Sequence, residues 1–60
     1  MSEDLRSLLE RLKNAQRDLL RSAASQPVLP SDGMLRKISE LEGVIAATEA
    51  LMQEEQQARR

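Results

Sequence analysis

Few residues of this chain carry the groups that catalysis needs. Six serines are present, but no histidine exists to act as their base and no cysteine offers a thiol. Glu54 and Glu55 are adjacent, so on a helix they face different directions and do not form a carboxylate dyad. No helical Glu/His spacing supplies a metal site. The expectation is a protein that is not an enzyme and takes no cofactor, metal or small molecule.

Two other features concern binding. Arg6, Lys13, Arg17 and Arg21 form an outward stripe, interrupted by Glu10. Two such stripes in a dimeric bundle could grip the phosphates of duplex RNA. Against this, Glu10–Lys13 and Asp18–Arg21 are spaced to pair on one helix, and the net charge is −1. No Phe, Tyr or Trp is available for base stacking. No specific nucleic-acid binding is expected. The string Pro27-Val28-Leu29-Pro30 has bare PxxP spacing without a flanking arginine. Val28 and Leu29 are expected to fold over the end of the molecule as an apolar plug.

The elements that position these residues follow from the breakers. Both prolines and Gly33 fall in one short stretch, Pro27 to Gly33. Pro27 pushes Gln26 out of helical geometry, and Ser31 or Asp32 can cap a second helix. Ser2 can cap the first, with Glu3 and Asp4 well placed against the helix dipole. Leu, Ala, Glu, Arg and Gln dominate either side of the break, and all favour helix. The reading is all-α: helix 1 over about 3–25, a loop over 26–32, helix 2 over about 33–57 and a frayed tail over 58–60. A loop this short folds two helices of similar length into an antiparallel hairpin.

Heptad-like seams support the hairpin. Helix 1 offers Met1, Leu5, Leu8, Leu12, Ala15, Leu19 and Ser22, and helix 2 offers Met34, Ile38, Leu41, Ile45, Thr48, Met52 and Glu55. Leu9 and Leu20 on helix 1, and Val44 and Leu51 on helix 2, lie on the flanks of these seams. They are the expected partner-binding residues, because two helices cannot bury apolar faces this broad. Ser39, Gly43, Ala46 and Ala50 form a small-residue stripe, a candidate for close helix packing. A chain of 60 residues without disulfide or metal is marginal alone, so association is expected to complete a helical bundle. The partner is a helical protein or a second copy, with no membrane involved. The absence of a signal-peptide pattern at Met1 and of a long apolar run leads to an expected cytoplasmic location.

The stretch LRSLLERLKNAQRDLLR (Leu5–Arg21), a break, and then ISELEGVIAATEALM (Ile38–Met52) resembles the small helical-hairpin co-chaperones of bacterial type III secretion needle subunits. The Leu41-Glu42-Gly43 step and the small, apolar run after it are the nearest part. The resemblance implies a co-chaperone or adaptor that binds and stabilises a larger, helical-repeat chaperone. Together they would keep the needle subunit monomeric until export. The alternative, from the residues alone, is a homodimeric four-helix bundle with a structural or small RNA-binding regulatory role.

Overall fold

A computed structural model describes residues 2–58. Two helices, α1 (Ser2–Ala24) and α2 (Asp32–Ala58), make up 88% of these residues, and no strand occurs among them. They pack as a hairpin with extents of 49 × 16 × 12 Å.

Each helix end has a local cause. Glu3 and Asp4 sit in the first turn of α1 and Arg21 in its last, matching the dipole at both ends. The close of α1 is tightened by bonds from the Ser25 amide to the Arg21 carbonyl (3.1 Å) and the Gln26 amide to the Ala23 carbonyl (3.2 Å). The Ser25 hydroxyl also donates to the Ser22 carbonyl at 2.8 Å. These bonds satisfy carbonyls that the helix itself leaves open, and Pro27 then forbids another turn. Ser31, just before α2, is its N-cap. The Ser31 Oγ accepts from the Met34 amide at 3.2 Å, and its carbonyl accepts from the Leu35 amide at 3.0 Å.

The seam of α2 matches its periodicity in full. Met34, Ile38, Leu41, Met52 and Glu55 are half-buried, and Ile45 and Thr48 are buried. The seam of α1 runs differently. Leu5, Leu8, Leu9, Leu12, Gln16, Leu19 and Ala23 are half-buried, while Ala15 and Ser22 are exposed. From Leu9 onward the inward positions are one residue later than expected at two of the heptad steps. Leu9 starts a second 3–4 series through Leu12, Gln16, Leu19 and Ala23, and α1 turns along this series to face α2. Met1, placed in the seam from sequence, lies outside the described residues.

The loop also differs from expectation. Val28 is 70% exposed and Leu29 82% exposed, so neither plugs the end of the hairpin. Pro27 and Pro30 stiffen a connection of only seven residues, and the two apolar side chains stand at its outer bend. Helix α2 runs through Ala58, within one residue of its expected end near 57. Half-buried Glu55 carries the seam into that last stretch. Arg59 and Arg60 lie outside the described residues.

Candidate partner-binding face

Only one hydrophobic side chain, Ile45, is buried among the described residues, at 8% exposure. A hairpin with so thin a core leaves apolar surface on its flanks, and the flanks are not equivalent. On one side, Leu5 and Leu8 of α1 and Val44, Ala47 and Leu51 of α2 wall an open groove of about 720 Å³. Gly43 and Thr48 also line it, and Glu40 is its one charged lining residue. The Thr48 hydroxyl donates to the Val44 carbonyl at 2.8 Å, so it offers the groove little free polarity.

Leu8 and Leu9 explain why there are two sides. They are consecutive, so on a helix they stand about 100° apart, one on each shoulder of the α1 seam. Leu8 faces the groove with Val44 and Leu51. Leu9 belongs to the other side, beside Glu49, Met52, Gln53 and Gln56, in a depression of about 290 Å³. Leu20 is on that other shoulder too, in a cleft of about 390 Å³ with Lys13, Gln16, Arg17 and Arg21.

The four flank residues taken from sequence are therefore split. Val44 (46% exposed), Leu51 (44%) and Leu20 (50%) are open to solvent, and Leu9 is half-buried. Val44 and Leu51 share a groove, whereas Leu9 and Leu20 are on the opposite side of the hairpin. Sequence reasoning assigned Leu5 and Leu8 wholly to the seam and missed that they also wall the groove. The adjacent leucines at 8 and 9 were the available signal.

The small stripe of Ser39, Gly43, Ala46 and Ala50 is exposed throughout. A Cβ placed on Gly43 would meet nothing within 4 Å. Within the hairpin, Gly43 is open helix surface at the groove edge.

The basic stripe is partly engaged. Lys13 Nζ lies 3.3 Å from Glu49 Oε2 on α2, and Arg17 Nη1 donates to Asn14 Oδ1 at 2.9 Å. Among the described residues no cluster of acidic side chains could hold a metal ion, and no buried side-chain polar atom lacks a partner. No helix of the described chain is long and apolar enough to cross a membrane. Comparison with protein-family models, curated proteins and solved structures finds no match to this chain.

Proposed function

We propose that the chain is a non-enzymatic helical interaction module whose groove, walled by Leu5, Leu8, Val44 and Leu51, is covered by helices of another protein. The observation that carries this reading is an open groove with one charged lining residue, along a hairpin that buries a single hydrophobic side chain among its described residues. Burying apolar area contributes roughly 25 cal/mol per Å², so a helix laid in that groove supplies the core the hairpin lacks.

The specific form of the reading is a co-chaperone or adaptor that stabilises a helical-repeat chaperone for a type III secretion needle subunit. Its support is the sequence resemblance, together with a hairpin shape suited to docking on stacked helices. Such a role places the protein in the cytoplasm. The test is co-expression with a helical-repeat needle chaperone from the same host, followed by co-purification of wild type, Val44→Glu and Leu51→Glu. The expected result is a stable complex with wild type that both substitutions weaken. A chaperone that folds and purifies without the hairpin, and does not bind it when mixed, would rule out the co-chaperone role.

A further inference from the structure

We infer that, when no other partner is present, the same groove is covered by a second copy of this chain, docked face to face with both interhelical loops at one end. The inference rests on reading that face as a docking surface, and it adds a competitor that any other partner must displace.

Size comes first. The broad face of the hairpin measures 49 × 16 Å, or about 780 Å² in projection. A stable interface of standard size buries roughly 800 Å² per partner. One copy therefore offers the area a dimer needs.

The apolar side chains then select the arrangement. The Lys13–Glu49 pair marks roughly which levels of the two helices lie side by side. In that register Leu5, Leu8 and Leu51 occupy the half of the face near the chain ends, and Val44 is near the middle. Toward the loop, the same side carries Ser22, Lys37 and Glu40. Two faces can dock about a twofold axis that runs across the helices or along them. An axis across the helices sets Leu8 and Leu51 over the polar loop half. An axis along the helices keeps each level opposite itself, so Leu8 meets Leu51 of the second copy and Leu51 meets its Leu8.

Charge selects the same axis independently. α1 has five basic and four acidic residues, for a net +1, and α2 has two basic and six acidic, for a net −4. The axis along the helices stacks α1 on α2 at both crossings. The other axis stacks α2 on α2, with −4 against −4. The favoured arrangement, like the other, makes every neighbouring helix pair antiparallel. It brings the two exposed Val28–Leu29 bends to the same end of the bundle.

The experiment is sedimentation equilibrium of the full chain at micromolar concentrations, joined to a spin–spin distance measurement. The sequence has no cysteine, so Val28→Cys, at an exposed loop position, takes a single nitroxide label. The expected result is a dimer whose labels are much closer than the 49 Å length of the hairpin. Leu51→Glu should weaken the dimer at least about tenfold, as at an interface hot spot, while Leu20→Glu on the opposite side leaves it intact. If Leu51→Glu loses helicity by circular dichroism, Ala47→Glu at an exposed groove position gives the same test. A monomer at every concentration, labels a hairpin length apart, or a dimer indifferent to the groove substitutions each overturns the inference. A monomer that still captures a helical partner through Leu51 overturns the dimer alone and leaves the proposed function standing.

Discussion

Lys13 and Glu49 join α1 to α2 near mid-length, with Nζ and Oε2 3.3 Å apart. Both side chains are about half exposed, at 47% and 50%, so water screens the attraction. The pair marks the register but contributes little to holding it. Lys13→Met and Glu49→Gln should each change unfolding free energy by less than about 1 kcal/mol, with a smaller effect in high salt. Urea titrations at two salt concentrations measure this. A loss above about 2 kcal/mol would make the ion pair a principal determinant of register.

The seam of α1 gives a sharper test. Gln16 is half-buried in it and Ala15 is exposed. Gln16→Leu should stabilise the fold by roughly 1 kcal/mol through added apolar burial. Ala15→Leu should stay within about 0.5 kcal/mol of wild type, as surface changes do. The opposite order, read from thermal melts at one protein concentration, would restore the register that passes through Ala15.

The N-cap of α2 rests on one hydroxyl. Ser31→Ala removes the acceptor that holds the Met34 amide at 3.2 Å and should cost about 1 kcal/mol. For a domain this small that lowers the melting temperature by roughly 4–8 °C. Ser31→Asp keeps an acceptor and should retain most of the stability. Equal losses in both variants would show that the cap bond is unimportant.

These cases show where the sequence was legible. The break at Pro27 and the cap of α2 are local chemistry, settled by a ring and a hydroxyl; the break could be read directly and the cap to one of two residues, Ser31 or Asp32, of which Ser31 is the cap. The α2 seam was equally clear, because the 3–4 series from Met34 through Ile45 to Met52 is the one that packs inward. Helix α1 has two, entered through Leu8 and through Leu9, and only packing against α2 chooses between them. The same choice places Leu9 and Val44 on opposite sides of the hairpin, so the candidate face could be listed residue by residue but not assembled. The exposure of Val28 and Leu29 was hidden for another reason. Hydrophobicity argues for burial, but a seven-residue loop with two prolines has no slack to fold back.

Val28 and Leu29 therefore add nothing to the folded hairpin that polar residues could not. Val28→Ser with Leu29→Ser should leave the unfolding free energy of the monomeric state within about 0.5 kcal/mol of wild type. Denaturant titration at the lowest workable protein concentration isolates that state. A loss of roughly 2 kcal/mol or more would return the two residues to the core.

Thr48 is the polar exception in the seam. It is 7% exposed, with a hydroxyl that donates to the Val44 carbonyl at 2.8 Å. That carbonyl already accepts the helical bond from the Thr48 amide, so the hydroxyl adds a second bond to an acceptor that is satisfied. Such back-bonding shelters a buried hydroxyl but gives the helix little, and a net hydrogen bond is worth only about 1 kcal/mol. Valine keeps the β-branched shape and removes the polar atom from an apolar seam beside Ile45. Thr48→Val should accordingly raise stability by up to about 1 kcal/mol and leave the helical content unchanged. Thr48→Ser keeps the hydroxyl and loses a methyl group, and should cost about 1 kcal/mol. Paired thermal melts by circular dichroism decide the point. If Thr48→Val destabilises the hairpin while Thr48→Ser does not, the hydroxyl is a structural requirement of the seam and the methyl group is not.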